Sequence, residues 1–171
     1  MDELYNRQLQ EKLLAIYKTL LTMGANKEDA EDVVQETAIQ FIQYIDGISP
    51  NEASAWLYKV AIHKYYDLLK KSRSQHKYLI SFRLEDLLEL HTPETIIMQQ
   101  ELQQEIVTQL SSLSDKEAQL ILLKYSADLS LKDIATLFGT TDKTIKTQLA
   151  RAKSKLKQRL QEVYNGGKIN F

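Results

Sequence analysis

An all-α fold in two small helical domains joined by a linker is what this sequence predicts, and three observations predict it. Helix breakers are scarce, with five glycines and two prolines in 171 residues. Apolar residues recur at three- and four-residue spacing along most segments, the period of one helical face. Residues suited to capping a helix N-terminus, Asn26, Ser49, Ser114 and Ser130, stand just ahead of those segments.

The opening helix carries Leu9, Leu13, Ile16, Tyr17, Leu20 and Leu21 on one face. Gly24 stops it and Asn26 caps the next. The second helix runs from Lys27 to Tyr44, with Ala30, Val33, Val34, Thr37, Ala38, Phe41 and Ile45 as its buried stripe. Its first turns hold Glu28, Asp29, Glu31, Asp32 and Glu36, some of them favourable with the helix dipole. After the loop at Asp46-Gly47-Ile48, Ser49-Pro50-Asn51-Glu52 reads as a fresh helix start, with proline at the first helical position. That third helix, Pro50 to Arg73, contains Trp56, expected in the core, and turns basic at Lys70, Lys71, Arg73 and Lys77.

Residues 74–92 lack strong periodicity and read as linker, with a short helical piece at Leu84–Leu90, closed by Thr92-Pro93. A helix from Pro93 to Leu110 follows. Ser114 and Glu117 then form a capping box for a helix through Tyr125. The tail from Gly166 to Phe171 reads as loose.

The segment from Leu131 to Arg159 is the most specific in the chain. Ser130 caps a helix through Phe138, with Asp133 as its reciprocal partner. Ala135 is small where two helices must cross. Gly139 suits a tight turn at positive φ, and Ile145 drops back between the helices. Thr140, Thr141 and Asp142 offer caps for a second helix. From Lys143 to Arg159 that helix has seven basic residues and no acidic one, which suits a groove lined with phosphates. This is a helix-turn-helix with a basic second helix.

Net charge is −1, but it is unevenly spread. Residues 1–60 carry −5, residues 61–77 carry +4, residues 78–117 carry −6, and residues 132–160 carry +6. Two basic islands suit two contacts with DNA, and the acidic segments suit a basic partner. The chain has no cysteine, so no disulfide framework or cysteine zinc site is expected. No apolar run is long enough to span a bilayer and the amino terminus has no signal-peptide pattern. The expectation is a cytoplasmic protein without membrane insertion.

The third helix interleaves Tyr58, Tyr65 and Tyr66 with His63, Lys64, Lys70 and Lys71. Unpaired bases stack on aromatic rings while lysines hold the backbone, so this helix is a candidate for melted DNA. Tyr65 and Tyr66 are adjacent and cannot point the same way, so at least one is expected at the surface. His63 and Asp67 share a helical face, but no third ligand, HExxH or phosphate loop accompanies them. No enzyme, cofactor or metal is expected.

Taken in order, these segments resemble a sigma-70-family sigma factor of the extracytoplasmic-function (ECF) group. Asp29-Ala30-Glu31-Asp32-Val33-Val34-Gln35-Glu36 is similar to its "DAEDLVQE" segment. Ala55-Trp56-Leu57-Tyr58-Lys59-Val60-Ala61, followed by Asp67-Leu68-Leu69-Lys70, is similar to its "WLYRIARN…D.LR" segment. Asp133-Ile134-Ala135 matches "EIA", and Thr144 to Ala152 matches "TVKSRLxRA". The chain departs from that pattern at His63 for asparagine, Lys70 for arginine, Asp128 for the glycine of Gly-Leu-Ser, and Asp142-Lys143 ahead of the recognition helix.

The resemblance implies a region 2-like domain over residues 1–77, a linker over 78–104, a region 4-like domain over 105–165, and a tail from 166. It implies that Asp29, Asp32, Gln35 and Glu36 bind core RNA polymerase. Ser49, Asn51, Tyr58, His63, Lys64, Tyr65, Tyr66, Lys70 and Lys71 would face the −10 element. Ser49 and Asn51, in the loop, would read a flipped base. Thr141, Asp142, Lys143, Thr144, Lys146, Thr147, Arg151 and Lys153 would face the −35 element. The implied partners are bacterial core polymerase, promoter DNA and an anti-sigma factor; the implied function is promoter recognition and DNA melting. Two rivals remain open on the residues alone: a stand-alone helix-turn-helix regulator, which would bind DNA unaided, and an interaction module with a degenerate DNA surface.

Overall fold

The structure, a computed structural model, describes residues 3–72, 82–88 and 99–164. Arg73, Lys77, Thr92-Pro93 and the tail lie outside the described residues, so the readings made there stand as sequence expectations. Among the described residues there is no strand. The helices are α1 (Glu3–Thr22), α2 (Lys27–Tyr44), α3 (Ala53–Ser72), α4 (Leu84–Leu88), α5 (Gln99–Leu110), α6 (Asp115–Ile121), α7 (Leu131–Leu137) and α8 (Asp142–Tyr164).

Local chemistry sets most boundaries where the sequence places them. Gly24 closes α1 at φ 104°, and the Asn26 side chain accepts the Asp29 N–H at 2.8 Å to start α2. Ser114 and Glu117 cap α6 reciprocally. One helix start differs. Ser49 to Glu52 is a turn rather than the first turn of α3: the Glu52 N–H donates to the Ser49 carbonyl at 2.9 Å. The Ser49 hydroxyl donates to the Glu52 carboxylate at 2.8 Å instead of capping a backbone N–H, and the helix begins at Ala53.

Helices α1, α2 and α3 pack on one another, and α8 collects α4, α5, α6 and α7 around its apolar stripe of Ile145, Leu149, Ala152, Leu156 and Leu160. Helix α3 is the meeting point. It packs against α1 and α2 on one side and against α5, α6 and α7 on the other. Leu57, Ala61, Ile62, Tyr65, Tyr66 and Leu69 are therefore all buried. Each large side chain removed from water in this way contributes about 1.5–3 kcal/mol.

Covering α3 from both sides overturns the expectation that Tyr65 or Tyr66 stands at the surface. Tyr65 is 1 % exposed and Tyr66 8 %. Adjacent residues on a helix point about 100° apart, so a helix with one buried face would expose one of them. A helix covered on two faces buries both.

Candidate functional site

The C-terminal candidate surface is built by α7 and α8. Ser130 caps α7, accepting the Asp133 N–H at 3.0 Å. Its reciprocal bond runs from hydroxyl to carboxylate at 2.6 Å. Ala135 is buried at the helix crossing, Gly139 takes φ 60°, and Ile145 is fully buried in the angle between the helices. Thr141 caps α8, accepting the Thr144 N–H at 3.2 Å.

With the apolar stripe turned inward, Thr141, Asp142, Lys143, Lys146, Thr147 and Arg151 project to solvent and Thr144 is half-buried. These seven lie on the cap and first three turns of one helix, a geometry suited to a groove. Lys153 is different. Its ammonium donates to the Asp86 carbonyl of α4 at 3.1 Å and stands 5.6 Å from the Tyr125 ring centroid. Farther along, Lys155 is paired at 2.5 Å with Glu117, and this hydrogen bond holds the Glu117 carboxyl below its usual range.

The acidic surface lies on α2. Asp32, Gln35 and Glu36 are exposed and Asp29 is half-buried, its carboxylate also accepting the Asn26 amide at 2.7 Å. The same outer strip continues with Ile39 and Ile42, both at least half exposed. Sequence reasoning passed over these two. The signal was present, because neither belongs to the stripe of Ala30, Val33, Thr37 and Phe41 that the core claims. An acidic strip ending in exposed isoleucines suits a protein partner better than solvent alone.

The third candidate surface, on α3 and the loop before it, is less unified. Asn51 and Tyr58 line a cleft of about 780 Å³ with Trp56, whose indole packs 5.7 Å from Phe41 and 6.5 Å from Tyr44. Trp56 is half-buried, part core and part cleft wall. Ser49 is exposed nearby and tied to Glu52. Lys64 points to α2, bonded to Glu36 at 2.8 Å. Lys70 is bonded to Asp67 at 2.8 Å and lies 4.5 Å from the Tyr66 ring centroid. That bond holds the Asp67 carboxyl below its usual range. His63 Nε2 is 3.6 Å from the same carboxylate, and Lys71 is exposed.

The opposite wall of the cleft is formed by α6, α7 and the turn after α7, including Asp115, Lys116, Gln119, Thr136, Phe138 and Gly139. The Gln119 amide reaches the Lys59 carbonyl at a long 3.5 Å. Tyr66 is covered from this side too, sharing a small void with Asp115, Ala118 and Gln119. Burial, with Asp67 and Asp115 nearby, pushes its phenol up to about 12. Among the described residues no group of His, Asp and Glu could hold a metal ion, and no helix is long and apolar enough to cross a membrane.

Two protein-family models match the chain in the order of these surfaces: sigma-70 region 2 over residues 8–75, spanning the acidic and α3 surfaces, and sigma-70 region 4 over residues 103–156, spanning the helix-turn-helix. The chain belongs to the sigma-70 family. Within it, the chain is similar to sigma factors of the ECF group. It is 26% identical over 167 residues to the ECF RNA polymerase sigma factor SigM of Bacillus subtilis, covering 98% of this chain and 96% of that one. It is 27% identical over 157 residues to SigW of the same organism, covering 86% and 84%.

A solved structure of the sigma factor RpoE from Bartonella quintana, in complex with the anti-sigma factor NepR, aligns over 98% of this chain and 100% of that one, at 20% identity and a TM-score of 0.47. This chain is an ECF-type RNA polymerase sigma factor. Both matched regions carry one of the candidate DNA surfaces. The stretch between them, including α4, lies outside both matches.

Proposed function

We propose that this sigma factor docks on bacterial core RNA polymerase through the outer strip of α2, reads the −35 element with the amino-terminal half of α8, and opens the −10 element at the α3 cleft. Asp29, Asp32, Gln35 and Glu36 supply charge to the polymerase contact, and Ile39 and Ile42 supply its apolar part. Lys143, Lys146 and Arg151 hold the −35 groove and phosphates, with Thr141, Asp142, Thr144 and Thr147 at the base edges.

At the −10 element, Asn51, Tyr58 and Ser49 border the pocket for an extruded base, while Lys64, Lys70, Lys71 and His63 flank it. Strand opening is driven by binding energy, through stacking and phosphate contacts, not by covalent chemistry. The single observation that carries this reading is the unobstructed basic face at the start of α8, set on a helix-turn-helix within a region 4 match.

The two promoter elements are about 25 base pairs apart by their names, roughly 85 Å along B-form DNA. In the structure the loop before α3 and the turn of the helix-turn-helix are opposite walls of one cleft. Engaging both elements therefore requires the two halves to part, with the linker spanning the gap. The reading also places the protein in the cytoplasm with its polymerase. The family resemblance, rather than any feature of the fold, suggests an anti-sigma factor as a regulator.

The test is transcription with sigma-free core polymerase, purified protein and a library of promoter fragments. Specific run-off starts, weakened by Asp32→Lys together with core binding, are the expected result. Footprinting of promoter DNA by the protein alone, with no core binding, would replace this reading with a stand-alone regulator.

A further inference from the structure

Arg83 lies outside both family matches, yet it is fastened to the C-terminal half at two points. Its backbone N–H donates to the Tyr125 carbonyl at 2.7 Å. Its guanidinium forks between two carboxylates, with Nη2 on Asp86 at 2.6 Å and Nη1 on Asp128. Phe82 and Leu84 on either side are buried, so the backbone at 83 is pinned and the side chain has a defined origin.

Asp128 is the partner that makes this arrangement informative. Among the described residues it is the one non-glycine with positive φ, at 56°. It stands two residues before the Ser130 cap, where the π-helical turn Leu122–Ser126 hands the chain to α7. Left-handed backbone strains any residue with a Cβ, and aspartate tolerates it better than most. Glycine, the residue usual at this position in the pattern the chain resembles, takes it freely.

We propose that Arg83 is a positioning residue for the helix-turn-helix: its fork on Asp86 and Asp128 holds the left-handed turn that aims α7 and, through α7, the recognition helix α8. A linker arginine and a turn aspartate together do what glycine does alone. The same stretch also grips α8, since the Asp86 carbonyl accepts Lys153 at 3.1 Å. The linker helix thus belongs mechanically to the −35-reading half, and variation at Arg83 changes −35 recognition without touching DNA. This deepens the promoter-reading function proposed above and rests on it.

The experiment uses full-length variants in holoenzyme on two templates: a promoter selected by the wild-type holoenzyme, and the same promoter with its −35 element scrambled. Arg83→Ala lowers the intact-to-scrambled transcript ratio by up to about fivefold, the range of a half-exposed ion pair. Asp128→Gly alone stays near wild type, and adding it to Arg83→Ala restores the ratio. Where Arg83→Ala fails to fold, Arg83→Lys keeps the charge and loses the fork, and shows a smaller loss with the same rescue.

Hydrogen exchange of the amides at the start of α7 is read in parallel on the free protein: faster in Arg83→Ala, reset by Asp128→Gly. An unchanged ratio with unchanged exchange overturns the proposal. So does an equal fall on both templates without glycine rescue. A wild type that initiates nowhere sinks the promoter reading, while the exchange data still decide the role of Arg83.

Discussion

Helices α3 and α8 bring similar residues toward DNA in the sequence and meet different fates in the fold. On α8 the apolar stripe faces one way, so Lys143, Lys146 and Arg151 are left on an open face. On α3 two sets of helices compete for the same cylinder. The tyrosines disappear inward, Lys64 is taken by Glu36, and Lys70 by Asp67. A peripheral helix can present a reading face ready-made. A central helix presents one only after something moves away.

The strongest way to break this comparison is to prevent the movement. The chain has no cysteine, so an introduced pair is chemically unique. Ala55→Cys and Thr136→Cys place thiols on opposite walls of the cleft. Bridged by a short cleavable bis-maleimide, the protein should lose promoter-directed transcription and recover it on cleavage, while each single variant stays active. Full run-off activity from the bridged protein would mean that the closed arrangement is itself competent, and that α3 needs no uncovering.

The next effect is smaller and sharpens the α8 side. Each phosphate contact contributes a slope of about −0.9 in log K against log salt. Lys143→Ala or Lys146→Ala should therefore flatten the salt dependence of holoenzyme binding by about one unit, so that the affinity lost between 50 and 200 mM salt is about three- to fourfold smaller than in wild type. Lys153→Ala should leave that slope alone and lower the unfolding midpoint instead, because its ammonium is bonded to Asp86. Equal slopes for all three variants would erase the distinction.

These cases show where sequence pattern carries information and where it stops. Ser130, Gly139, Ile145 and the run of basic residues on α8 were legible because each rule joins residues a few positions apart. Tyr65 and Tyr66 were not, since their burial depends on α3 being covered from both sides, and the cover over Tyr66 comes from α6, some fifty residues downstream in the chain. Lys153 finds its partner 67 residues back, Arg83 finds Asp128 45 residues ahead, and Lys64 finds Glu36 28 residues back. None of these pairings follows from helical period, and Lys64 and Lys153 are charges that local reading assigns to DNA. Ile39 and Ile42 were available to local reading, as apolar residues off the buried stripe.

A still smaller effect concerns Lys64 and Glu36, which join the proposed −10 and polymerase surfaces. Lys64 is 22% exposed and Glu36 64%, so a double-mutant cycle on stability should give a coupling of about 0.2–1 kcal/mol. The consequential readout is linkage. Glu36→Gln releases Lys64 and should weaken core binding while strengthening −10 single-strand binding by the free protein. If both affinities fall together, the pair only braces α2 against α3 and does not connect the two surfaces.

The smallest effect separates a core tyrosine from a DNA-facing one. The Tyr66 hydroxyl is buried without a hydrogen-bond partner and its pKa is raised to about 12. Deleting an unsatisfied buried polar group is neutral to mildly stabilising, up to about 1 kcal/mol. Tyr66→Phe should therefore leave the urea midpoint unchanged or raise it, with an unchanged m-value. The sign of the pH dependence follows from the same burial. The folded protein holds the phenol proton more tightly than the unfolded chain, whose tyrosines ionise near 10. The contribution of Tyr66 is complete below that value and is lost as pH climbs from about 10 towards 12. Tyr66→Phe should remove that part of the alkaline loss. If the phenylalanine variant were clearly less stable, or titrated like wild type, the hydroxyl would have a partner and the α3–α6 seam would be a polar contact, not a desolvated one.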